Sequence, residues 1–226
     1  MHTLEQLRSG ALAGTRRLDL SCGLRALPPE VFDLADTLEV LNVSGNQLSV
    51  LPQDLPRLHR LKVIFGSDNA FTELPGVLGD CPSLEVLGFK ANRITDVSGA
   101  ALPPALRWLI LTDNAVHTLP PDLGQRPALQ KLMLAGNQLG SLPPSLAGAQ
   151  RLELIRLAAN QLPDLPGWLT ELPRLSWLAL AGNALGWHRP APAPIDCVDW
   201  HQLRQGELLG EGASGHITGC RHRRVG

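Results

Sequence analysis

The most chemically suggestive stretch of the 226-residue chain is LLGEGASGHI, residues 208–217. Gly210, Gly212 and Gly215 stand at G-x-G-x-x-G spacing, with Ser214 before the last glycine and Ile217 two residues beyond it. Glycines so spaced let a backbone turn sharply and bring its amide N–H groups against phosphate oxygens, because no Cβ stands in the way. Leu208 and Leu209 form a short apolar lead-in suited to a strand. His216, Cys220 and His222 lie beside this loop, with Cys197 and His201 upstream. Zinc takes four nitrogen or sulfur ligands at characteristic spacings, and none of those spacings occurs, so the cluster reads as a polar tail and no metal site is expected. GASG does not match G-x-S-x-G, so no serine nucleophile is signalled.

What precedes the glycine loop is a repeat. TLEVLNVSGNQLSVLPQDLPRLH returns as RLKVIFGSDNAFTELPGVLGDCP, and the pattern runs on to RLSWLALAGNALGW. Its beat is Asn46, Asn69, Asn92, Asn114, Asn137, Asn160 and Asn183, at spacings of 23, 23, 22, 23, 23 and 23. An earlier copy, RRLDLSCGLRALPPEVFDLADT, has Cys22 near the asparagine place and brings the total to eight. In each L-x-L the alternation has period two, so Leu109 and Leu111 face one way while Trp108, Ile110 and Thr112 face the other. One copy cannot bury its own leucines, so copies stack strand beside strand into a parallel sheet. Each asparagine opens the turn out of its strand, where its amide can satisfy unpaired backbone groups of neighbouring turns. The L-P-x-x-L segments return the chain along the opposite side, and their prolines disfavour long helices there.

The pattern L-x-x-L-x-L-x-x-N-x-L-x-x-L-P resembles the leucine-rich repeat, in the 23-residue form found in cytoplasmic proteins. The resemblance implies an α/β repeat solenoid, a leucine-rich-repeat horseshoe with a concave parallel β-sheet and short helical or 3₁₀ turns on the convex side. The expected organisation is a capping helix over 1–14, carrying Thr3 and Gln6 at capping-box spacing, then the repeats over 15–187. A Pro/Ala linker over 188–202 and a glycine-loop segment over 203–226 complete it.

The outward strand positions are where binding would occur. The first row reads Arg17, Val40, Val63, Val86, Trp108, Lys131, Leu154 and Trp177; the second reads Asp19, Asn42, Phe65, Gly88, Ile110, Met133, Arg156 and Ala179. A solvated face should be mostly polar, whereas these rows are rich in apolar side chains, with Lys131 and Arg156 among them, Lys90 at the next outward position, and Asp68 and Asp113 near the edge. Contiguous exposed apolar surface marks an interaction site, and aromatic residues beside cations suit interface centres. The expected partner site therefore comprises Val63, Phe65, Val86, Lys90, Trp108, Ile110, Lys131, Met133, Leu154, Arg156 and Trp177. For Val40, Val63 and Val86 a ladder serving the sheet itself is the competing reading.

LGEGASG after the short linker resembles the first strand and glycine-rich loop of a protein kinase. With the repeats, it is similar to the bacterial leucine-rich-repeat serine/threonine protein kinases. That resemblance implies that Gly210, Gly212, Ser214 and Gly215 correspond to a vestigial ATP loop. ATP and magnesium would be cofactors only with a complete kinase domain. The chain contains no V-A-I-K, H-R-D or D-F-G, and no lysine after Lys131. The RHRR run is not expected to continue a strand. The expectation is thus a truncated or frame-disrupted relative that keeps recognition and lacks catalysis, with no cofactor. Two alternatives stand beside it: a fragment of an active serine/threonine kinase whose repeats recruit substrate or regulate the enzyme, and the recognition domain of an effector-type ubiquitin ligase.

Composition narrows the partners. The formal charge is −1 and the isoelectric point about 6.6, so no basic face for nucleic acid or anionic membrane is forced. Tyrosine is absent and phenylalanine occurs four times, so branched aliphatics build the core. No run reaches the roughly 18 apolar residues of a membrane span, and the N-terminal stretch is too polar for a secretory signal. Four cysteines, Cys22, Cys81, Cys197 and Cys220, form no C-x-x-C pair, which fits reduced thiols in a cytoplasm; Cys22 and Cys81 are expected in the core. A protein or peptide ligand is the expected partner; nothing in the residues bears on oligomeric state.

Overall fold

The computed structural model describes residues 1–186 and, beyond them, the backbone of two strands within 203–222. The expected linker over 188–202 and Ser214 lie outside the described residues.

Eight three-residue strands run in chain order: β1 (Arg17–Asp19), β2 (Val40–Asn42), β3 (Val63–Phe65), β4 (Val86–Gly88), β5 (Trp108–Ile110), β6 (Lys131–Met133), β7 (Leu154–Arg156) and β8 (Trp177–Ala179). They form one open parallel sheet in which each strand pairs only with its sequence neighbours. Register is one to one, so equivalent positions of every copy line up across the sheet, as in Val40, Val63 and Val86. The central residue of each strand faces the core. Leu18, Leu41, Ile64, Leu87, Leu109, Leu132 and Ile155 are all buried, and the series breaks at Leu178, 37% exposed on the last strand. Stacking explains both facts, since each copy buries its neighbour's leucine and the final copy has no neighbour among the described residues.

The return segments are 3₁₀ turns, such as Pro29–Leu34, Gly76–Asp80, Pro144–Gly148 and Gly167–Glu171, each entered through a proline or bearing one at its start. Proline's fixed φ and missing N–H suit such short pieces. Successive turns approach closely: a Cβ on Gly124 would overlap the Ser145 carbonyl of the next turn. The one 22-residue interval, from Asn92 to Asn114, is bridged on this side by Arg126. Its guanidinium donates to the carbonyls of Gly99 (2.9 Å) and Leu102 (3.3 Å) and pairs with Asp122 at 3.1 Å.

The asparagines hold one copy to the next. Asn137 Nδ2 donates to Leu111 O of the preceding copy (2.8 Å) and to Leu134 O of its own (3.0 Å), while its Oδ1 accepts from Val116 N (3.0 Å). Asn160 repeats the set with Leu134 O, Leu157 O and Leu139 N. The residue before each asparagine is left-handed, from Gly45 through Asp68, Ala91, Asp113, Gly136 and Ala159 to Gly182. At Ala91 and Ala159 a side chain tolerates a φ that ordinarily costs about 1–2 kcal/mol.

At the N-terminus the helix α1 (Leu4–Arg8) is five residues long, with the reciprocal Thr3–Gln6 capping box in place. The expected cap extended to residue 14; the helix stops at Ser9 because Gly10 and Gly14 adopt φ of 75° and 78°. Turns fill the remainder, and His2 N donates to Asp19 O at 2.8 Å, closing the edge of β1.

Beyond the repeats, β9 (Leu203–Gly212) and β10 (Gly215–His222) pair antiparallel as a hairpin. This corrects the expectation that the basic run ends the strand, since Arg221 pairs with Arg204 and His222 with Leu203. A ten-residue partner offers backbone groups along its whole length, and hydrogen bonding to them does not depend on apolar side chains.

The asparagine network yields a test. Asn137→Ala leaves Val116 N without its partner in a buried site and removes one of the two amide donors at Leu111 O, where Asn114 Nδ2 remains, so it should lower stability by about 1–3 kcal/mol, read from urea unfolding followed by circular dichroism. A change within the error of the wild-type midpoint would show that the ladder is not what joins the copies.

Candidate functional site

Parallel pairing sets the outward side chains in rows, so the site is built by register rather than by loops. Val86 was expected to contribute, but it is only 8% exposed, flanked in register by Val63 and Trp108, and belongs to the sheet's own packing. Val63 and Phe65 are half-buried. A Cβ on Gly88 would overlap the Phe65 ring, so the missing side chain on β4 is what lets Phe65 lie across to the neighbouring strand.

The centre of the face is an aromatic–cation pair. Lys131 Nζ sits 4.0 Å from the Trp108 ring centroid, and Trp108 Nε1 donates to Gln130 Oε1 at 3.3 Å. The indole is thus fixed at one edge by an amide and capped on its face by an ammonium. Ile110 and Met133 are direct register partners beside it, both half-buried. Leu154 is half-buried on β7, Arg156 is exposed, and Trp177 on β8 is 56% exposed, the largest apolar side chain so open among the described residues. Lys90 lies two residues beyond the end of β4 and reaches Asp113 Oδ2 at 3.6 Å, with both side chains over half exposed.

One polar column bordering these rows escaped the reading of the sequence. The residue immediately before each strand alternates in charge as Arg16, Glu39, Lys62, Glu85 and Arg107, then continues as Gln130 and Glu153. Contacts run along it: Arg16–Glu39 at 3.8 Å, Lys62–Glu39 at 3.1 Å, Arg107–Glu85 at 2.9 Å, Arg107 to Gln130 at 3.1 Å and Gln130 to Glu153 at 3.0 Å. The signal was present as alternating sign at a fixed repeat position. The Lys62 ammonium holds the Glu39 carboxyl below its ordinary range. At the N-terminal end the bidentate Arg17 hydrogen bonds, each 2.8 Å, do the same for Asp19, assisted by Asn42.

Among the described residues, no group of histidine, cysteine and carboxylate side chains is arranged to hold a metal, and no helix is long and apolar enough to cross a membrane. Gly210, Gly212 and Gly215 lie in the hairpin, where Gly212 and Gly215 are the pair nearest the turn and Ile217 pairs with Gly210.

The cysteine expectation divides. Cys81 is buried and donates to Val77 O at 3.6 Å, whereas Cys22 is exposed. The first copy is one residue short at that point and has no preceding copy to bond, so its turn opens to solvent; Cys22 N donates to Asn46 Oδ1 at 3.1 Å. Burial, with a smaller contribution from Asp80, pushes the Cys81 thiol up from 9.0 to about 11. The folded value is raised, so the stability tied to the neutral thiol is present below pH 9.0 and is lost as pH climbs toward 11.

Comparison with known proteins agrees with the repeat. A family model described as leucine rich repeat matches residues 104–162 and 127–185, and a second matches residues 37–58. The chain is 33% identical over 121 residues to a probable inactive serine/threonine-protein kinase, roco10, of Dictyostelium discoideum, covering 49% of this chain and 4% of that protein. It is 35% identical to podocan-like protein 1 of Mus musculus, covering 50% of this chain and 21% of that protein. It is 37% identical to the transforming growth factor beta activator LRRC32 of Pongo abelii, with 49% and 18% covered. The chain therefore spans less than a quarter of the curated relatives it matches. An internalin from Listeria monocytogenes shares the fold with a TM-score of 0.63 at 24% identity, over 73% of this chain and 47% of that one. The architecture is a leucine-rich-repeat solenoid.

Exposure and acidity together define a labelling outcome. At pH 8 a maleimide should modify Cys22 in the folded protein and spare Cys81 until denaturant is added, as read by peptide mass mapping. Equal labelling of both in the native state would contradict the burial of Cys81.

Proposed function

We propose that the chain is a protein-recognition module whose ligand, a protein or peptide segment, lies on the concave sheet around Trp108, Ile110, Met133 and Trp177. The observation that carries this reading is the outward row itself. A side chain as large as tryptophan, left 56% exposed on a rigid strand, keeps apolar area in water that a partner would remove. Trp108, held by Lys131 and Gln130, offers the same area already ordered, so little side-chain freedom is lost on binding. The unpaired thiols of Cys22 and Cys81 favour a reducing, cytoplasmic setting, and the near-neutral charge favours protein over nucleic acid or membrane.

For the C-terminal hairpin we favour a kinase-derived origin. Two antiparallel strands, one ending at Gly212 and the next beginning at Gly215, are the form that the first strands of a kinase domain take around their phosphate loop, and this supports a vestigial relation to leucine-rich-repeat kinases. In such a parent the repeats would present substrate or restrain the enzyme. No catalysis is assigned to the chain, which contains no kinase lysine, catalytic aspartate or D-F-G, and no cofactor is assigned to it.

Two experiments follow. A photo-crosslinking residue at Ile110 or Met133 should give a discrete adduct with a partner that Trp177→Ala diminishes, while the same probe at exposed Val50, outside the sheet, should not. Adducts of equal yield from Val50 would move the interface elsewhere. Calorimetry with ATP and magnesium on the full chain should give no saturable heat; heat abolished by Gly212→Val with Gly215→Val would restore a working nucleotide loop.

A further inference from the structure

Along the sheet, cations come with carboxylates until its C-terminal half. Arg17 pairs with Asp19, Arg16 and Lys62 with Glu39, Arg107 with Glu85 and Lys90 with Asp113. Lys131 and Arg156 have no such partner among the described residues. From β3 to β8 the outward positions, with the next one beyond each strand, contain Lys90, Lys131 and Arg156 and no carboxylate at all. Lys90 is offset by Asp113, so the uncompensated positive charge on this part of the face is that of Lys131 and Arg156, set among apolar side chains.

We infer that the ligand on this face is an extended acidic peptide segment, with two carboxylates placed two residues apart and apolar side chains on either flank. The inference rests on the recognition reading above and deepens it. Lys131 pairs with Leu154 in register, and Arg156 lies two residues further along the neighbouring strand. With strands about 4.8 Å apart and about 3.3 Å of rise per residue, the two positions are about 8 Å apart on the diagonal. Side chains two apart on one face of an extended peptide are separated by about 6.6 Å, within the reach that a lysine and an arginine can adjust. The Trp108 ring fixes the Lys131 ammonium 4.0 Å above its centroid, so one of the two cations is already positioned. Ile110 and Met133 on one side and Trp177 on the other would take the flanking apolar residues.

A phosphate ligand fits less well. Phosphate sites draw on free backbone amides or helix N-termini, and here the sheet's amides are already used in the parallel ladder. A bare pair of cations between apolar walls suits carboxylates carried by an apolar chain.

The test is selection of a displayed library of random dodecapeptides on the full chain, followed by anisotropy measurements on synthetic peptides from the enriched pool. The expected result is enrichment of acidic residues two apart beside apolar ones. Changing both acids to their amides should weaken binding about tenfold or more, as should Lys131→Ala with Arg156→Ala, circular dichroism confirming that the variant remains folded. Peptides that need Trp108 but show no acidic preference, or bind equally well as amides, overturn the acidic ligand and leave the recognition face standing. Peptides indifferent to Trp108→Ala with Trp177→Ala, or no enrichment above that variant, overturn both. A labelled oligothymidylate bound as tightly as the best peptide through the same two cations would replace the peptide with a nucleic acid.

Discussion

Everything in the solenoid depends on how an asparagine amide divides its hydrogen bonds between two copies. One nitrogen donates backward to the preceding copy and downward to its own, and one oxygen accepts from the preceding copy's return segment, as at Asn137 and Asn160. A three-residue strand has too few ladder bonds to fix its own ends, and the turn leaving it would strand backbone groups in the core. A side chain with both a donor and an acceptor at a fixed angle resolves both problems at once. That requirement repeats seven times, from Asn46 to Asn183, and it forces the left-handed residue before each one.

Because the join is made by asparagine and the core by leucine, the outward rows are released from structural duty. Where they do serve the sheet, the signs are specific: Val86 is closed over by its register neighbours, and Gly88 is empty so that Phe65 can cross it. The charged column before the strands is likewise accounted for by its own internal contacts. What remains without an internal explanation is the group formed by Trp108, Lys131, Met133, Arg156 and Trp177. The apolar members of this group are costly to leave in water, and the proposed recognition reading rests on them.

The sequence made the repeat legible because period-two leucines and a constant asparagine interval are both direct consequences of stacking. Strand positions and facing followed from that, down to Leu109 inward and Trp108 outward. The failures have physical causes. Val86 and Trp177 occupy the same column, and only the size and position of neighbouring side chains decide that one is covered and the other open. By analogy with later copies Cys22 reads as a core cysteine, but it is exposed, because the element before the first copy is a short helix and turns and not another repeat. The apolar spacing continues to residue 14, whereas Gly10 turns left-handed just after the Ser9 cap and ends the helix. The alternating column was visible all along as charge sign at one repeat position, yet it takes a register to see that residues 23 apart touch.

If the proposed acidic segment lies on this face, the contact between Lys131 and Trp108 suits the face better to selecting that ligand than to gripping it. An ammonium resting on an indole keeps much of its hydration and gains only modestly from the ring, about 0.5–1 kcal/mol at an exposed site. Its charge therefore remains available, in a fixed place, to a partner that brings a carboxylate. The surrounding apolar rows supply attraction that any apolar segment could share. The fixed cation discriminates, because a ligand lacking negative charge must either displace the ammonium from the ring or leave it facing an apolar group. Affinity on such a surface would come from Trp177, Met133 and Ile110, and choice of partner from Lys131 and Arg156.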